Sequence, residues 1–121
     1  MMNKLKIIWG ILGIIGFILT LIFILSQPSN NEICIQQYEK ERKRTYAGFV
    51  TDKFIDDKEH NYKTLILNKQ QTIWMNWDVS GLFEFLEVND NVVKDSGSYE
   101  VIVYRDSLEY SFIINYGCDI N

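Results

Sequence analysis

The chain has 121 residues, a net charge of −4, 47% hydrophobic residues and two cysteines. This length holds one small domain beyond any membrane segment. The acidic balance opposes a general affinity for nucleic acid or anionic lipid, which both repel an acidic face.

Residues 1–6 form a short N-terminal region made positive by Lys4 and Lys6. Residues 7–25 are then apolar throughout, broken only by Thr20 and three glycines. As a helix rising about 1.5 Å per residue this run spans about 28 Å, close to the ~30 Å hydrocarbon core of a bilayer. Lipid leaves free backbone groups unsatisfied, so the span is expected to be a helix. Trp9 stands where an interfacial aromatic anchor would. A cleaved signal peptide is the alternative. Its apolar stretch is usually about 7–15 residues and ends at a small-x-small site. Here the exit reads Ser26-Gln27-Pro28-Ser29-Asn30, so a retained, single-pass signal-anchor helix is expected. Lys4 and Lys6 favour an N-terminus inside and a C-terminal domain outside. Against them, Lys40 to Arg44 is a second basic run about 15 residues further on, at the limit of influence on topology. Gly10, Gly13 and Gly16 line one flank of the helix and would allow a homo-oligomeric contact, although their spacing is not GxxxG.

Residues 26–33 include the only proline, Pro28, and read as a linker. Residues 34–121 read as a small, mainly β domain. Without Lys4 and Lys6 the remainder of the chain carries −6. Cys34 and Cys118 lie at its two ends. In an oxidising compartment they make a natural disulfide; in the cytoplasm they would be buried thiols.

Residues 45–55 are rich in aromatic and β-branched side chains. Residues 63–68 alternate, with Leu65 and Leu67 on one face, and 72–77 alternate with Ile73, Met75 and Trp77 together. Leu82, Phe85 and Leu86 at i, i+3 and i+4 predict one or two helical turns, with Asp78 or Ser80 able to cap them. Residues 88–94 read as a turn into a short strand. Val101 and Val103 predict another strand. After a turn at 106–109, Tyr110, Phe112, Ile114 and Tyr116 share the face of a last one. The order of three strands, a short helix and two or three strands suits a five- to six-stranded OB-like or SH3-like barrel, with an open α+β sheet as the alternative.

Functional signals are few. GxSxG, P-loop, GxGxxG, CxxC and HExxH are all missing, so no catalytic, cofactor or metal residue is assigned and an enzyme is not expected. His60 lies among Asp56, Asp57 and Glu59. This reads as a solvated loop, because metal sites draw ligands from several elements. The run Lys40 to Arg44, mixed with Glu39 and Glu41, reads as a solvated face with local charge pairs. Trp74 and Tyr104 fall opposite the main apolar set of their strands. Exposed there, they would stack on sugars, bases or peptide side chains.

Gly48-Phe49-Val50, Asp57 with His60-Asn61, Ser80-Gly81-Leu82-Phe83-Glu84, Val88 to Lys94 and Ser96-Gly97-Ser98 make a pattern over most of residues 44–116. It resembles that of small uncharacterised single-pass membrane proteins of the Bacteroidota, with Asn89 where the pattern carries glycine. The resemblance implies a membrane protein and no particular activity. Abundant Ile, Asn and Lys beside a single alanine fit an AT-rich bacterial genome. Two function classes follow. One is an inner-membrane anchor presenting a periplasmic binding or assembly module to an envelope protein or glycan. The other is an inward-facing OB-like domain meeting nucleic acid or a signalling partner.

Overall fold

The computed structural model describes residues 2–119. The chain divides into two units, the first ending at Asn30 and the second beginning at Asn31.

The first unit is helix α1, Met2–Leu25. Its stretch Asn3–Leu25 is long and apolar enough to cross a membrane and contains all of residues 7–25. Thr20, the one hydroxyl within the apolar run, donates from Oγ1 to the Gly16 carbonyl at 2.9 Å. Its polar atom is thus satisfied inside the helix, as an apolar surrounding requires.

Helix α2, Asn30–Lys43, leads into the second unit, and its first turn takes residues 30–33 of the linker expected at 26–33. Glu32 in its first turn and Lys40, Arg42 and Lys43 in its last complement the helix dipole. Its inner stripe runs through Cys34, Tyr38 and Glu41, at i, i+4 and i+7. The Tyr38 hydroxyl donates to the Ile114 carbonyl at 2.6 Å, and its ring stacks on Tyr99 with centroids 4.0 Å apart. Cys34 is bonded to Cys118. Beside that bond, Asn31 exchanges two 2.8 Å hydrogen bonds with the Asp119 backbone.

Six antiparallel strands follow: β1 Tyr46–Asp56, β2 Tyr62–Leu67, β3 Gln71–Trp74, β4 Asn91–Lys94, β5 Glu100–Arg105 and β6 Leu108–Ile113. Their order in the sheet is β3-β2-β1-β4-β5-β6. Strand β1 serves both halves. Tyr46 to Phe49 pair with β4, while Val50 to Asp56 pair with β2 across an irregularity between Val50 and Asp52. The expected closed barrel is not formed. Among the described residues no ladder joins β3 to β6, so both remain edges. Alternating side chains set which face of a strand is buried but not whether its edge finds a partner.

Asn68, in the turn after β2, accepts the Phe49 N–H on Oδ1 at 2.9 Å. Its side chain lies where a Cβ on residue 48 would stand, so any larger residue than Gly48 would have to displace the Asn68 amide from this bond. Asn89 has φ of 80°, the left-handed conformation that suits glycine and that asparagine tolerates.

The core joins Val50, Leu65, Leu67, Ile73, Val92, Val101, Val103 and Ile114. A short helix α3, Leu82–Phe85, closes one end with Leu82 and the following Leu86. Lys53 donates to the Glu84 and Leu86 carbonyls at its C-terminus, at 3.3 and 2.8 Å. The alternation expected to carry Trp77 inward stops early, because β3 ends at Trp74. Ile73 and Met75 are buried and Trp77 is half exposed.

Lys94 is only 1% exposed. Its ammonium donates to the carbonyls of Arg42, Arg44 and Asp95 at 3.2, 2.6 and 3.2 Å. It therefore caps the end of α2 from the sheet, where a cation suits the helix dipole. Burial pushes its pKa down. Lys94→Met removes a desolvated charge, but it also takes a charged donor from three carbonyls around the end of α2, and this second effect decides the sign. The expected loss is about 2 kcal/mol, read from the denaturant midpoint. An unchanged midpoint would show that the cap does not hold α2.

Candidate functional site

Gln37, Lys40, Glu41 and Arg44 sit at i, i+3, i+4 and i+7, on one face at the C-terminal end of α2. This face forms one wall of a cleft of about 290 Å³. Tyr62 from the start of β2 and Trp74 from the end of β3 form another wall. Asn76, Trp77 and Tyr116 complete it.

Local hydrogen bonds place these rings. The Met75 N–H donates to the Lys63 carbonyl, and the Lys63 N–H donates to Asn76 Oδ1. The side-chain oxygen thus takes over from the ladder just beyond β3, and the chain turns so that Trp77 leaves the strand. Buried Asp78 accepts the Asn115 N–H at 3.0 Å, which holds the C-terminal segment carrying Tyr116. The rings meet in pairs. Tyr62 and Trp74 are edge-on at 6.3 Å, and Trp77 and Tyr116 are stacked at 6.2 Å. Trp74 and Trp77 still expose half their surface.

Glu41, 4% exposed, is the one carboxylate of the cleft. Its Oε2 accepts Arg44 Nη1 at 3.1 Å and the Tyr116 hydroxyl at 3.4 Å. Burial first, and then the Glu41 charge, push the pKa of Tyr116 upward, and the same two causes act on Tyr46. Both phenols therefore stay protonated at neutral pH. The Tyr46 hydroxyl is buried with no hydrogen-bond partner among the described residues. Chemically, the cleft offers flat ring faces and hydrogen-bond donors to a ligand.

Tyr104 lies elsewhere. It lines a second cleft of about 450 Å³ with Phe49, Val88 and Asn91. The charged floor of that cleft is spent internally, because Arg105 is paired with Asp90 and lies 3.7 Å from Glu87. Trp74 and Tyr104 are both exposed, at 55% and 41%, but they belong to separate clefts. His60 sits in a left-handed turn with its ring 5.9 Å from Tyr62. Among the described residues no three His, Cys, Asp or Glu side chains converge as a metal would require. The basic run on α2 does carry local pairs, Arg42 with Glu39 and Arg44 with Glu41.

The alternation of residues 72–77 places Trp74 outward, and the structure leaves it exposed at this cleft. The sequence pattern did not mark Tyr62, Trp77, Tyr116 or the α2 face as part of it. The 37, 40, 41, 44 spacing was there to be read, but only once residues 30–43 are known to be a helix. No protein-family profile, curated protein or solved structure matches the chain.

Proposed function

We propose that the chain is a membrane-anchored binding module, with α1 in the bacterial inner membrane and the β domain on its outer face, where it holds an envelope glycan. The observation that carries the reading is the cleft at α2. Half-exposed Trp74 and Trp77, backed by Tyr62 and Tyr116, offer flat apolar surfaces of the kind that cover a sugar ring, with polar side chains between them. The Cys34–Cys118 bond is compatible with an oxidising compartment. The −6 charge outside the N-terminal region weighs against the nucleic-acid alternative.

The test is calorimetry on the full chain in lipid nanodiscs. The probes are N,N′-diacetylchitobiose and the disaccharide of N-acetylglucosamine and N-acetylmuramic acid. Saturable heat with at least one sugar is expected, and Trp74→Ala should weaken binding about tenfold through the lost ring contact. No heat with either sugar overturns the glycan reading.

A further inference from the structure

We infer that the α2 cleft selects a sugar bearing a carboxylate over its neutral counterpart, an inference that rests on the glycan reading above. Two cations and one anion line the cleft, whereas the chain outside its N-terminal region is acidic. The anion is not open to a ligand, since Glu41 is buried and committed to Arg44 and Tyr116. The donors are open. Among the described residues the Lys40 ammonium has no partner, and neither do the Trp74 and Trp77 indole N–H groups. Arg44 uses only Nη1 on Glu41, which leaves Nε and Nη2. Asn76 spends its carbonyl oxygen on the Lys63 N–H and keeps its amide N–H₂.

A cleft with charged donors and a closed carboxylate matches an acceptor-rich anion. A neutral sugar brings a donor with every hydroxyl, and those donors find no open charged acceptor here. A carboxylate brings only acceptors, and charge-assisted hydrogen bonds are roughly twice as strong as neutral ones. The rings then hold the sugar's apolar face while Lys40 and Arg44 take the acid.

The two disaccharides named above test this, because they differ by one lactyl ether carboxylate. The acidic sugar should bind the full chain about tenfold more tightly than chitobiose. Lys40→Gln should bring the ratio toward one. Lys43→Gln removes the same charge from α2 outside the cleft and should leave the ratio as it was. Raising the salt concentration should also narrow the gap, because Lys40 is exposed. Arg44→Lys, which keeps the charge beside Glu41 but loses the fork, gives a second reading if one variant fails to fold. Equal affinity for the two sugars overturns the inference and leaves the glycan reading standing. An equal loss in Lys40→Gln and Lys43→Gln also overturns it, because the preference would then belong to overall charge. Binding of neither sugar removes both readings.

Discussion

Cys34→Ser should cause the largest loss of stability of any single substitution that leaves the core side chains in place. The bond joins positions 84 apart in sequence. On loop-entropy grounds, closing a loop of that length contributes about 4–5 kcal/mol, a ceiling that ordinary structure in the unfolded chain lowers. A unit of about 90 residues hides only some 60–65% of its surface on folding, so its margin is small compared with this contribution. The local consequence is as specific as the global one. The bond and the Asn31–Asp119 pair fasten the first turns of α2, and further along the helix Tyr38 and Lys94 hold it. Without the bond the α2 wall of the cleft should loosen, and sugar binding should fall together with the denaturant midpoint. Reductant should give the wild-type chain the same midpoint as the variant. A midpoint indifferent to both changes would show that the bond contributes nothing. The same cysteines report the compartment. In native membranes without reductant they should resist thiol labelling, and full labelling of both would place the domain on the reducing side.

What the sequence made visible follows from how local each signal is. Residues 7–25 are apolar at every turn, so α1 needed no partner to be recognised. The last hairpin was equally plain. Val101 and Val103 alternate inward, and Asp106 and Ser107 adopt the positive φ values of a two-residue turn. Leu82 and Leu86 placed the plug helix at the end of the core. The features that were missed depend on residues far apart. Helix α2 has few apolar side chains. It is held by a bond to Cys118, a hydroxyl contact to Ile114 and a lysine from β4. Barrel closure was expected from strand order, but pairing of β3 with β6 is a non-local event that alternation does not encode. The site shows the same division. Trp74 could be placed outward from the pattern on β3. Its neighbours Tyr116 and Glu41 reach the same cleft only because the C-terminal segment and α2 meet there.

Asp90→Asn should lower the melting temperature by about 10 °C, a large loss for a change that preserves side-chain shape. Asp90 is 2% exposed and accepts Arg105 Nε at 2.7 Å and Nη2 at 2.6 Å. The carboxylate also takes the Glu87 N–H at 2.8 Å, and the Asp90 carbonyl takes the Val50 N–H at 2.8 Å. Arg105 in turn donates to the Phe85 carbonyl at 2.8 Å and lies over the Phe85 ring at 4.3 Å. The ion pair thus joins the end of α3, the loop before β4 and the end of β5, and the Asp90 backbone ties that loop to the middle of β1. An amide presents one acceptor where the carboxylate presents two, and it leaves the guanidinium with only the exposed Glu87 carboxylate, 3.7 Å away, as counter-charge. Replacing both partners by leucine should recover part of the loss, because apolar side chains of similar volume need no counter-charge. The pH dependence separates this pair from a packing effect. The bonds from Arg105 hold the Asp90 carboxyl below the usual carboxylate range, and Lys63 does the same for Glu84. The unfolded chain therefore takes up these protons first. Their contribution is complete at neutral pH and drains away as the pH falls below about 4. Glu84 is largely exposed and its pair is screened by solvent, so Asp90 should carry more of this acid loss. In Asp90→Asn the decline of the melting temperature with falling pH should flatten without vanishing. A decline as steep as in the wild type would assign the acid sensitivity to other carboxylates and reduce the Asp90–Arg105 pair to a matter of shape.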